Sequence, residues 1–304
     1  KNLKMKSFGI LFGIILISLG SCAKKDGEVA VGTSSFEIVE LKPIETGIKP
    51  IGVPKIKVVN DLLFTLDLKD SVVFKVYDSS FKLLDWKYQL GQFPLELEFP
   101  IFSAPIIDGK NERVNVLDLG KLNLVSFSPK IISDSIDWDM KASALKDLEY
   151  FPKNIISYSD PLTIYVPEIG GSLVFENKQT GSVEIMPYKF HLFDKIKPAN
   201  IPFVFQSVGA LNRDKGIIAI APILTGEVEF YDMTGSLMKS VVYDSTNHDI
   251  EMISQVDFSN TDILVNAIDI FSTSNYLYVL SSNNKVNQFL TGQKGSGSTI
   301  IKLK

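Results

Sequence analysis

The chain is dominated by short runs of alternating apolar and polar residues separated by turn residues. Five copies of one rhythm are visible, beginning near Leu62, Arg113, Leu162, Gly216 and Tyr276, so the pattern recurs about every 50 residues. The clearest copy runs from Asp61 to Gln89, as DLLFTLDLKDSVVFKVYDSSFKLLDWKYQ. Its strands are rich in Val, Leu, Phe and Tyr, and Asp78-Ser79-Ser80 supplies a hairpin turn. Asn177 to Gly181 and Asp232 to Gly235 punctuate later copies in the same way. Helical periodicity is nearly absent; Lys141 to Leu148 (KASALKDL) is the one stretch that predicts a short helix.

Repeats of this length, each supplying about four antiparallel strands, predict an all-β β-propeller over residues 36–304, with the last blade truncated at the C-terminus. A single blade cannot bury both faces alone, so neighbours must stack around an axis. Doubly wound and barrel α/β folds need helices between strands, and the spacing leaves no room for them. Ser35 to Lys42 (SFEIVELK) alternates apolar and polar residues and predicts the strand that closes the ring, removing an exposed edge.

The N-terminus changes the picture from fold to address. Lys1, Lys4 and Lys6 precede the apolar run Phe8 to Leu19, which is too short to cross a bilayer as a helix and reads as a signal peptide over residues 1–21. Leu19-Gly20-Ser21-Cys22 follows and resembles a bacterial lipobox, which implies lipidation of Cys22 and attachment to a membrane through that lipid. Residues 22–35 read as a flexible tether. Ala23 after the cysteine is unlike the aspartate of inner-membrane retention signals. The expected location is therefore the outer membrane, on its periplasmic face or at the cell surface. Cys22 is the only cysteine, so the body carries neither a disulfide nor a thiol nucleophile.

Removing the three lysines ahead of Cys22 takes the formal charge from −4 to −7, and Arg113 and Arg213 are the only arginines. An acidic body poor in arginine argues against nucleic acid as a partner.

Catalytic signatures are hard to find. His191 and His248 lie too far apart in sequence for a helical metal pair, and they read as satisfied surface or inter-blade residues. No nucleophile elbow or phosphate-cradling loop is present, and Gly292 to Ser298 reads as a loop. Asp67, Asp78, Asp118, Asp232 and Asp244 recur at strand ends, where aspartate bonds its own turn. Trp86 and Trp138 read either as inter-blade packing or as a stacking platform for sugar rings.

In the first copy, Gly91, Pro94, Glu96 and Leu97 follow the strands, with Phe93 where a second glycine is usual. This run resembles the first blade of the TolB-like six-bladed propeller lipoproteins of Bacteroidota. The residues and the resemblance together lead to the expectation of a monomeric, envelope-anchored binding or scaffold protein. It would hold an envelope protein or a glycan, with no catalytic residue, metal or cofactor assigned. A propeller-type metal-dependent hydrolase or lactonase is the alternative, because ligands dispersed over several blades leave no local spacing.

Overall fold

The computed structural model describes residues 36–39, 47–48 and most of 55–304, leaving out 60, 94–95, 109–110, 133–134, 146, 159–160, 192, 246–262, 283 and 292–297. The signal, Cys22, the tether, Pro94 and His248 lie outside the described residues.

The described residues form twenty strands in five four-stranded antiparallel sheets. Strand β1 (Phe36–Val39) belongs to the last sheet. The first sheet holds β2 (Lys55–Val59), β3 (Leu62–Leu66), β4 (Phe74–Tyr77) and β5 (Leu83–Lys87). The second holds β6 (Pro100–Asp108), β7 (Asn111–Asp118), β8 (Asn123–Ile132) and β9 (Ser135–Ala144). The third holds β10 (Pro152–Tyr158), β11 (Leu162–Pro167), β12 (Ser172–Asn177) and β13 (Ser182–Pro187). In the fourth are β14 (Ser207–Asn212), β15 (Ile217–Pro222), β16 (Glu227–Asp232) and β17 (Leu237–Val242). The fifth pairs β18 (Asp269–Ser272), β19 (Leu277–Ser282) and β20 (Ser298–Leu303) with β1.

Two expectations are corrected here. Among the described residues the sheets number five where six were expected, and the five match the five sequence copies one for one. In the fifth sheet β1 lies along the outer edge of β20, with Phe36 opposite Leu303 and Ile38 opposite Ile301. This is the closing strand expected from residues 35–42, and it satisfies the backbone groups that β20 would otherwise expose. Lys141–Ala144, expected to be helical, is the end of β9, with Lys141 opposite Ser126 and Ala144 opposite Asn123. Ladder hydrogen bonds to β8 outweigh a helix propensity worth only tenths of a kcal/mol per residue.

The sheets pack through alternate side chains. Between the first and second, Phe74 stacks on Phe127 at 5.0 Å, and Trp138 meets Phe127 edge-on at 5.6 Å. Comparable apolar clusters join the second sheet to the third, the third to the fourth, and the fourth to the fifth. Strand β6 touches β2 and β10, and β14 touches β10 and β18, so the first strand of each sheet lines a central axis.

Candidate functional site

Antiparallel order sorts the connections by rim. Each inner strand starts at one rim, so the links between sheets and the turns joining second to third strands all gather there. The opposite rim carries short hairpins such as Asn212 to Ile217 and Asp232 to Leu237. The first rim carries the long connections of residues 88–99, 145–151 and 188–206. The link 188–206 also contains two single turns of 3-10 helix and helix α1 (Ile201–Val204). Helix α2 (Val286–Thr291) lies in the turn between β19 and β20 on this same rim. Long connections on a rigid scaffold are where binding groups are usually placed.

The link leaving the first sheet is strapped at every step. The Gly91 amide donates to the Leu97 carbonyl at 3.0 Å, and the Leu97 amide to the Gln89 carbonyl at 2.9 Å. The Glu96 carboxylate accepts the Phe93 amide at 3.0 Å. Lys121, from the neighbouring sheet, donates its ammonium to the carbonyls of Phe93 and Glu96 at 2.5 and 2.6 Å. Gly91 suits this position by its φ of +157°, and a Cβ there would push the Glu96 carboxylate aside. Phe93 needs no glycine's freedom, since it is not among the residues of positive φ. It stands 74% exposed at the tip, and with Trp86, Tyr88, Gln89 and Glu96 it lines an open cavity of about 310 Å³.

The two tryptophans do not form one platform. Trp138 is packed between sheets, its indole N–H donating to Asp85 at 2.6 Å, whereas Trp86 lies on the opposite face of β5 and is 53% exposed. On that face Ile56, Thr65, Lys75 and Trp86 follow one another across the four strands, as do Val58, Leu63, Tyr77 and Leu83. Ile56, Val58, Leu83 and Trp86 are all exposed. The corresponding face of the fifth sheet shows Phe271, which leans on Tyr278, and Lys302, which pairs with Glu37 at 3.0 Å. Among the described residues, no buried apolar cluster joins the fifth sheet to the first.

At the inner end of that junction, charge replaces packing. Lys55 and Asp269 open β2 and β18, Lys153 is the second residue of β10, and Lys57 is the third of β2. Burial lowers the Lys55 pKa, opposed by attraction to Asp269 and reinforced by repulsion from Lys153. Burial raises the Asp269 pKa against the pull of Lys57 and Lys55.

A second polar cluster is enclosed between the third and fourth sheets. Glu227, Glu229 and Tyr231 share one face of β16 and are buried. The Glu229 carboxylate accepts the Tyr231 hydroxyl and, at 3.1 Å, the Lys189 amide. Burial pushes its pKa up to about 7, with those two hydrogen bonds acting against the rise. His191 pairs through Nδ1 with Glu227, in line with the inter-blade reading of that histidine. Sequence reasoning missed both glutamates, although Glu-x-Glu-x-Tyr on a strand of an otherwise apolar blade is a readable signal.

The aspartates behave as turn and link anchors. Asp78 accepts the amides of Ser80 and Lys82 at 2.9 Å, and Asp232 those of Thr234 and Ser236 at 2.8 and 2.9 Å. Buried Asp118 accepts the Glu98 amide at 3.1 Å, Phe99 at 3.0 Å and Gly120 at 3.2 Å, which fixes the end of the strapped link. Among the described residues, no three His, Cys, Asp or Glu side chains gather as a metal-binding group, and no helix is long and apolar enough to cross a membrane.

No protein-family model matches the chain, and no curated protein matches it. Among solved structures it is similar to a member of the DUF4221 family from Bacteroides vulgatus, at 12% identity over 89% of this chain and 84% of that one, with a TM-score of 0.51. It is more distantly similar to virginiamycin B lyase from Staphylococcus aureus solved with quinupristin, at 10% identity over 82% and 79% of the two chains and a TM-score of 0.42. A Bacteroides fragilis protein described as exported aligns at 10% identity over 91% and 96%, with a TM-score of 0.34. The first of these shows a shared fold alone, and with the five radially packed sheets it identifies the chain as a β-propeller.

Proposed function

We propose that the chain is a lipid-anchored propeller of the cell envelope, held at the outer membrane through Cys22, that binds a protein partner without catalysing a reaction. The observation that carries this reading is the open face of the first sheet. Ile56 and Val58 on β2 and Leu83 and Trp86 on β5 stand exposed at the two edges of that face, and Trp86 lines one open cavity with Phe93 on the strapped link. Exposed aromatic side chains that share one cavity, as Trp86 and Phe93 do, mark interaction sites. A preorganised link also limits the ordering cost of binding. The resemblance of the first-blade run to TolB-like lipoproteins favours the same reading.

A photo-crosslinking amino acid at position 58 of the lipidated protein in its own envelope tests this, with position 180 on the opposite rim as control. One discrete crosslinked envelope protein at position 58, lost on Trp86→Asp, is expected. Equal products at both positions, or crosslinking only to a second copy of the chain, would overturn it. A glycan is the second reading, favoured by Trp86 and Phe93 lining one open cavity, since aromatic faces suit sugar rings. Glycan-array binding that is lost on Phe93→Ala, with no protein crosslink, would transfer the function to that class.

A further inference from the structure

We propose that the cavity lined by Trp86, Tyr88, Gln89, Phe93 and Glu96 is a cage for a guanidinium group, the arginine side chain of the protein partner. The inference rests on the protein-binding reading above and adds the chemistry that is recognised there. Three aromatic side chains and one carboxylate line a single open cavity of about 310 Å³. Ligand pockets run from about 300 to about 1,000 Å³, so this one suits a single side chain better than an extended ligand. Aromatic ring faces attract cations. A carboxylate beside them favours a charged group over a neutral one of the same shape.

The walls are set before any ligand arrives. Directly after β5, Tyr88 holds a left-handed backbone with a φ of 64°. Bulky residues seldom adopt that conformation, and such outliers cluster at functional sites. Its ring meets Phe127 edge-on at 5.8 Å, and its hydroxyl donates to the Met140 sulfur at 2.6 Å. At Phe93 the amide donates to Glu96 Oε2 and the carbonyl accepts Lys121, so the exposed ring stands on a fixed backbone. The other carboxylate oxygen, Glu96 Oε1, accepts no hydrogen bond among the described residues. Neighbouring lysines do not supply the cation: Lys75, opposite Trp86, pairs with Asp70, and Lys121 is held by the link carbonyls. Arginine fits better than lysine, because guanidinium is weakly hydrated and stacks flat on aromatic faces, whereas an ammonium keeps its water in an open cavity.

The test is fluorine magnetic resonance of the folded protein labelled with fluorotryptophan, at constant ionic strength. Trp86 and Trp138 are the only tryptophans, so one signal reports the cavity and the other the packing between the first two sheets. Nα-acetyl-arginine amide, its neutral citrulline counterpart, its lysine counterpart and glucose are the probes. The arginine probe should shift the Trp86 signal saturably and leave Trp138 in place, while citrulline and glucose should shift neither. The lysine probe should bind about two- to fivefold more weakly than arginine.

Glu96→Gln keeps the size of the side chain and an acceptor for the Phe93 amide, and should weaken arginine binding about two- to fivefold. Phe93→Ala should weaken it by a similar factor of about two to five. An unmoved Trp138 signal in both variants shows that the fold is intact. No Trp86 shift with arginine, an equal shift with citrulline, or binding unchanged in both variants would overturn the cage, and tighter binding of lysine would overturn the choice of guanidinium. A shift with glucose and none with arginine would give the cavity to a sugar. A crosslinked partner at position 58 without an arginine response strikes this site alone. An arginine response without a crosslinked partner strikes the protein-binding reading and leaves the cage standing.

Discussion

The two faces of the first sheet are built from alternate residues of the same strands, yet they have opposite fates. On one face Phe64, Leu66, Phe74 and Val76 are completely or almost completely removed from solvent against the second sheet. On the other, Ile56, Val58, Leu83 and Trp86 remain exposed at the join with the fifth sheet. Composition does not separate them, since both are apolar enough to be core. What differs is the neighbour. The second sheet offers Phe127 and Trp138 as interlocking surface, whereas among the described residues no buried apolar cluster joins the fifth sheet to the first. An apolar blade face is thus a permission to pack, and ring geometry decides whether the permission is used.

The sharpest test of this contrast removes one ring from the covered face. Phe74→Ala should cost about 3–5 kcal/mol in urea unfolding, because Phe64, Phe102, Phe127 and Trp138 all surround that side chain. A loss under about 1 kcal/mol would mean that the first two sheets do not pack as described.

Next comes the covered face that contains charge. Glu229 has a folded pKa near 7, above its ordinary 4.5, so the folded state holds more protons between those values. Stability should therefore be highest at low pH, fall as pH rises from about 4.5 through about 7, and then level off. The full span is worth roughly 3 kcal/mol from the size of the shift. Glu229→Gln should flatten this fall and raise stability at pH 8. The Tyr231 and Lys189 contacts keep an oxygen acceptor in the variant. An unchanged pH profile would show that Glu229 is already charged without penalty.

A smaller effect is expected at the link beside the open face. Asp118→Ala deprives the Glu98, Phe99 and Gly120 amides of their acceptor and should cost about 1–3 kcal/mol. It should also speed limited proteolysis within residues 88–99. The smallest change belongs to the open face itself. Val58→Ser should move stability by no more than about 0.5 kcal/mol, as surface substitutions usually do. A cost approaching that of Phe74→Ala would mean that the face is covered in solution and the comparison fails.

Strand alternation, turn chemistry and the repeat were legible in the sequence because each is local. Five copies were visible and five sheets exist; the sixth came from family resemblance. The closing strand at residues 36–39 was legible for the same reason, since its alternation needs no knowledge of β20. The link aspartates were half legible: Asp78 bonds its own turn, as its spacing implies, but Asp118 bonds a link some twenty residues upstream. Lys141–Ala144 misled because helix propensity is weaker than a strand partner that only the fold supplies.

The candidate sites were the least legible part. Lys55, Lys153 and Asp269 lie far apart in the chain and act on one another electrostatically because three inner strands start at one rim. Lys153 owes its place to a bulge that no single-strand pattern announces. Glu227 and Glu229 show an alternation that can be read, but their partners His191 and Lys189 come from another sheet. Local sequence therefore specified strands, turns and which side chains share a face. Which faces were covered, and which charges were gathered at the axis, depended on contacts between sheets distant in the chain.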